Sequence, residues 1–118
     1  MRRPPSLATL RAAWWAQRAL RRARRQLGRR RAIDRIALPA PPALSEHAVR
    51  GVLALLRRRR HSCLERALVL QRWLAAHGQP RDVVIGVTSA GERFGAHAWL
   101  EGEDASGEPF HELRRLGA

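Results

Sequence analysis

The stretch from Ser62 to Pro80 leaves the chain the fewest choices. Ser62 is followed three residues later by Glu65. That is the pattern of a capping box, in which a hydroxyl and a carboxylate each take up a backbone N–H that the helix start leaves unpaired. The spacing predicts a helix beginning at Cys63 and running to about His77. Gly78 closes it and Pro80 prevents its continuation. Within it Leu64, Ala67, Leu68, Leu70 and Leu74 make more than half of the surface apolar. A helix of that kind belongs at the centre of a fold, with other elements packed around it.

Beyond this helix the chain turns strand-like. Asp82 to Thr88 is rich in β-branched residues and reads as a strand. Ser89 to Glu92 is a turn. Arg93 to Glu101 then reads as a second strand, with Phe94, Ala96, Ala98 and Leu100 on one face and Gly95, His97, Trp99 and Glu101 on the other. Gly102 to Gly107 makes another turn, and a short third strand is expected at Glu108 to His111. Two or three antiparallel strands packed on the Cys63 helix make an α+β fold.

Two helices are expected upstream. Ser6 caps the first, which runs to about Leu27 and stops at Gly28. Leu7, Leu10, Trp14 and Leu20, with alanines between, form its apolar stripe, and Arg11, Arg18, Arg21, Arg22, Arg24 and Arg25 cover the rest. Trp14 and Trp15 are neighbours and cannot face the same way, so one is expected to be exposed. Pro39, Pro41 and Pro42 rule out a helix interior in the linker from Arg29 to Leu44. Ser45 caps a second helix reaching about Arg59, with Val49, Val52, Leu53 and Leu56 buried. Arg57 to Arg60 crowd its last turn, where the helix dipole favours cations. The expected division is a basic N-terminal helix and Pro-rich linker over residues 1–44 and a compact domain over 45–118.

Charge keeps to the same division in outline. Residues 1–60 hold 17 Arg against Asp34 and Glu46, a net +15, and residues 61–118 hold 6 Arg against 8 acids, a net −2; together they make the +13 of the chain. A cationic half of this strength suits an acidic partner or a membrane surface, although arginines on a helix face also read as ordinary solvated charge. The N-terminus has no apolar run of signal-peptide length, and no stretch approaches a membrane span. One cysteine makes no internal disulfide, so the expected location is the cytoplasm.

Cys63 and His97 carry the chemistry the sequence suggests. At a helix start, backbone N–H groups face the thiol and the dipole favours negative charge, the form in which sulfur is nucleophilic. His97, on a strand returned by a hairpin, would take the thiol proton, an acid would orient its ring, and the Cys63 N–H is a natural oxyanion donor. Four acids are candidates for the orienting role: Glu101, Asp104, Glu108 and Glu112. Glu101 is too far along the same strand, Glu108 opens the returning strand beside His97, and the turn geometry decides. The bland counterpart is a small buried core thiol. His61 and His111 beside Cys63 and His97 fall short of the clustered ligands zinc uses, so neither metal nor cofactor is expected. His47 and His77 read as surface residues.

A cysteine on a helix start and a histidine on a later strand are the plan of papain-like and transglutaminase-like enzymes. More narrowly, Ser62-Cys63-Leu64-Glu65-Arg66-Ala67, Val84-Ile85-Gly86-Val87 and Ala96-His97-Ala98-Trp99-Leu100-Glu101 resemble the leader peptidase of lasso-peptide biosynthesis, the microcin-processing B protein. Gly107 to Leu113 is similar to that family's tail, and the likeness covers about residues 45–116. The resemblance implies a transglutaminase-like cysteine protease that removes the leader from a ribosomally made precursor. An asparagine-synthetase-like cyclase then closes the macrolactam ring. Cys63 would be the nucleophile, His97 the base and Glu108 the third member. The family usually has Asp there, and the preceding turn is one residue shorter in this sequence. Nothing in residues 1–44 resembles a leader-recognition domain, which implies the split form, served by a separate leader-binding partner protein.

Two other classes stay open. One is an acyltransferase using the same Cys-His pair for amide transfer. The other is a basic nucleic-acid-binding module without catalysis. The arginines lie in the half without Cys63 and His97, and the core lacks aromatic platforms for bases, so no nucleic acid is expected.

Overall fold

In a computed structural model of the 118-residue chain, the described residues are 6–29, 33–88, 95–103 and 111–118. They form helices α1 (Leu7–Gly28), α2 (Val49–Arg58) and α3 (Cys63–Ala76) and strands β1 (Val83–Thr88), β2 (Gly95–Leu100) and β3 (His111–Leu116). The fold is α+β, with helices first and then a Cys-bearing helix packed on a small antiparallel sheet. Among the described residues no helix is long and apolar enough to cross a membrane. The chain divides into two compact units, Met1–His61 and Ser62–Ala118. The boundary expected from the sequence falls at residue 44; the compact units put α2 together with α1.

In the first unit α1 starts where the sequence places it: the Ser6 side chain accepts from the Thr9 N–H at 3.2 Å. Its buried face is only partly the expected one, since Leu20 and the alanines go inside but the rest of the stripe does not. Leu7, Leu10 and Trp14 are 75%, 53% and 70% exposed, and the buried residues are Ala12, Trp15, Ala16, Ala19, Leu20 and Ala23. The cause is close packing of α1 against α2. Alanines keep the α1 surface low, and Gly51 on α2 completes the contact, since a Cβ there would collide with the Thr9 carbonyl and lie 3.1 Å from the Ala13 nitrogen. Trp15 is the inward member of the tryptophan pair, its Nε1–H donating to the Pro39 carbonyl at 3.0 Å. The linker is latched further along by Gln26, which exchanges two hydrogen bonds with the backbone of Ala37, at 2.7 and 2.9 Å. The second helix begins differently from expectation. Ser45 makes no side-chain cap, and a 3-10 turn over Glu46–Ala48 leads into α2. Val49 and Leu53 are half-buried, while Gly51, Val52 and Leu56 are fully buried.

Gly51 gives a test of this packing. Glycine to alanine in an ordinary helix gains about 1 kcal/mol. Here the added methyl meets backbone, and overpacking costs about 1–3 kcal/mol. Gly51→Ala is therefore expected to lower the urea midpoint; an equal or higher midpoint would show that α1 and α2 do not approach so closely.

In the second unit α3 carries the packing. Ala67, Leu68, Val69, Leu70 and Trp73 are buried, and so is Gln71, whose amide donates to the carbonyls of Arg81 and Leu116 at 3.0 and 2.8 Å. Leu64 and Leu74, expected inside, are half-buried. The helix ends at His77, with Gly78 in the left-handed region at φ 79°. His77 is not a plain surface residue: its ring stacks on Trp73 at 4.2 Å and Nδ1 lies 2.7 Å from the Trp73 carbonyl. The sheet order is β2-β1-β3, all antiparallel. Val83, Leu100 and Leu116 share a register row and are all buried. The described third strand runs over His111–Leu116, and of the expected Glu108 to His111 only His111 lies within the described residues. His-Glu-Leu-Arg-Arg-Leu has no strand-like alternation. Leu113 is 66% exposed and Leu116 is the buried side chain, so this edge is held by its pairing to β1. The turns expected at Ser89 to Glu92 and at residues 104–107 lie outside the described residues.

Candidate active site

The capping box at the start of α3 is complete. Glu65 N–H donates to the Ser62 hydroxyl at 3.1 Å, and Ser62 N–H donates to Glu65 Oε1 at 2.7 Å. This locks Cys63 as the first helical residue, half-buried. Its sulfur accepts a hydrogen bond from the Ala98 backbone N–H at 3.3 Å. β2 is an edge strand, so alternate N–H groups point away from β1, and that of Ala98 points at the sulfur. The thiol thus touches the residue next to His97.

Alternation along β2 separates its two faces as the sequence predicts. Ala98 and Leu100 are buried, while His97 and Trp99 share the other face, their rings stacked at 5.8 Å and 20°. His97 is half-buried and pairs in register with Gly86, which sets no side chain beside it.

The strand order is where expectation and structure part. The returning strand does not lie beside β2; β3 pairs with β1, on the far side from His97. The physical reason is the character of β1. Val83 and Val84, on opposite faces, are both buried, and a strand buried on both faces takes the centre of a sheet. Glu112 pairs with Gly86 across from His97, so the two residues stand two strand spacings apart, about 10 Å. Glu112 also accepts from Arg115 Nε at 2.6 Å, and Arg115 reaches Glu101 and lies 3.7 Å from Asp82. These carboxylates, Glu112 first and then Glu101, raise the Arg115 pKa further above its ordinary value. Glu101 and Glu112 are therefore both engaged by an arginine. Asp104 and Glu108 lie outside the described residues.

Two contacts near Cys63 went unforeseen in the sequence. One is the Ala98 N–H, a backbone group any residue would supply. The other is Arg66, in the first turn of α3, whose Nη1 meets both Glu103 oxygens at 3.2 and 3.0 Å and ties that turn to the loop after β2. An Arg in the first turn of the cysteine helix and an acid just beyond the histidine strand are visible in the sequence, but charged pairs are too common to single them out. His61 is engaged by α2, with Nε2 2.8 Å from the Leu56 carbonyl. Among the described residues no group of three or more His, Cys, Asp or Glu is placed to hold a metal ion.

No curated protein and no solved structure matches the sequence. A family model does, that of the transglutaminase-like superfamily, over residues 6–115. The match takes in α1 as well as the Cys63 helix and nearly all of the sheet. A capped cysteine helix on an antiparallel sheet, with a histidine strand against the thiol, agrees with it, and the chain belongs to the transglutaminase-like superfamily, whose members are generally cysteine-based enzymes.

Proposed function

We propose that the chain is a cysteine peptidase that removes the leader from a lasso-peptide precursor before a cyclase closes the ring, with Cys63 as nucleophile, His97 as base and Glu108 as orienting acid. The observation that carries the reading is the hydrogen bond of the Cys63 sulfur to the peptide that follows His97. Superfamily membership supports cysteine chemistry, and the likeness of residues 62–67 and 96–101 to the lasso leader peptidases supports the substrate class.

The steps follow from these proposed roles. The thiol proton passes to His97, and the sulfur attacks the scissile carbonyl. The negative oxygen that forms is stabilised by the Cys63 N–H. His97 returns the proton to the leaving amine, which departs as the core peptide's new N-terminus. Water then opens the thioester, again through His97, and releases the leader as a free acid. Mass spectrometry of a precursor incubated with the protein tests the reading: two fragments summing to the precursor plus one water support it, and an intact precursor under every partner combination refutes it.

The same membership also favours a second reading, in which an amine rather than water opens the thioester. Cleavage in the presence of a primary amine separates the two, because transfer leaves the amine on the leader's new carboxyl end.

Partner dependence is a further expected result. Alone the protein should cleave slowly, and a leader-binding protein should raise the rate by about 10²-fold, since tethering turns a weak encounter into an intramolecular one. Equal rates with and without it would contradict the split arrangement.

A further inference from the structure

The first unit carries an open surface of its own. Trp14, Trp15 and Arg18 on α1 face Pro41 and Pro42 of the linker across an open cleft of 460 Å³. Trp15 is buried and its indole N–H donates to the Pro39 carbonyl, while Trp14 is 70% exposed. A large exposed aromatic beside a proline wall offers apolar contact on both sides of an inserted side chain. Farther along α1, Arg22, Arg25 and Arg29 surround Gln26 in a second hollow of 280 Å³ that holds no apolar residue. Positions 14, 18, 22, 25 and 29 are spaced by four, four, three and four, so they lie along one stripe of the helix.

We propose that this stripe binds an acidic peptide segment, with one large apolar side chain in the Trp14 cleft and carboxylates over Arg22, Arg25 and Arg29. The lengths agree. At 1.5 Å per helical residue, Arg22 and Arg29 lie about 12 and 22 Å from Trp14. An extended peptide covers that in about four to seven residues. The charge agrees as well: residues 1–60 carry a net +15, and arginine grips carboxylates bidentately. A membrane fits less well. An interfacial helix carries its apolar face along its length, whereas here the apolar residues stop at the cleft and the rest of the stripe is arginine. Peptide binding here is independent of the peptidase reading, because it is measured without any cleavage.

The test is fluorescence anisotropy of the whole chain with a labelled synthetic peptide of one leucine, three serines and four glutamates. Trp14→Ala and the double variant Arg22→Glu/Arg25→Glu should each weaken binding at least about tenfold, as should replacing the peptide's leucine by serine. Arg57→Glu/Arg58→Glu, at the exposed end of α2, should change it by less than about threefold. Thermal melts confirm that each variant is folded, and Trp14→Phe should retain most of the binding. Equal losses at Arg57/Arg58 and Arg22/Arg25, or indifference to the leucine, would reduce the surface to diffuse charge and overturn the proposal. Absence of peptide binding together with Trp14-dependent binding to phosphatidylglycerol vesicles would overturn it in favour of a membrane.

Discussion

Cys63→Ala is expected to lower the single-turnover rate of leader removal by about 10⁴-fold or more while the circular dichroism spectrum stays that of the wild type. The two halves of that expectation come from different features. Activity falls because, in the proposed mechanism, the sulfur is the atom that forms the thioester, and no other residue in this chain is a thiol. The fold survives because the helix start is held by Ser62 and Glu65, which the substitution leaves in place. What is lost is a half-buried side chain and one hydrogen bond from Ala98, about 1 kcal/mol. Cys63→Ser should be equally inactive, since a hydroxyl at that position is a far weaker nucleophile even with the Ala98 N–H beside it. Mass spectrometry of the precursor, with dichroism on the same samples, makes the measurement. Full cleavage by the alanine variant would remove Cys63 from the mechanism.

Glu108→Ala is expected to cost about 10- to 10⁴-fold in the same assay, with Asp104→Ala near wild type. An orienting acid holds the imidazole in one tautomer, and its loss leaves the nucleophile, the base and the oxyanion donor in place, so the effect is smaller than at Cys63. The case for Glu108 is the resemblance of its position to that of the acid in the lasso leader peptidases; there the proposal relies on glutamate's extra methylene to make up for a shorter turn. The case against Glu112 is geometric. It stands on the strand beyond Gly86, two strand spacings from His97, and Arg115 already engages its carboxylate. Glu101 is likewise engaged by Arg115. Glu112→Ala is therefore expected to leave the rate within about threefold of wild type. A crippled Asp104→Ala with an active Glu108→Ala would move the role to Asp104. Normal rates in all three variants would leave a Cys63–His97 dyad.

The ends of α1 and α3 were legible in the sequence, because caps are satisfied within four residues. Ser6 meets Thr9, Ser62 meets Glu65, and Gly78 takes the positive φ that closes α3. The split of β2 into an Ala98–Leu100 face and a His97–Trp99 face was legible for the same local reason, the two-residue period of a strand. Periodicity failed where another element chose the buried face. On α1 the leucine and tryptophan stripe looked like the core, but α2 packs closest against small residues, so the alanine face went inside and Trp14 was left exposed. The sheet order was equally beyond the sequence. A hairpin reading puts the last strand beside β2. Tertiary packing put β1 in the middle, because Val83 and Val84 are buried on its two faces, and sent the polar β3 to the opposite edge. The approach of the Ala98 N–H to the Cys63 sulfur belongs to the same class. Every residue but proline carries that donor, so its direction is decided by how α3 lies along the sheet edge, not by which side chain stands at position 98.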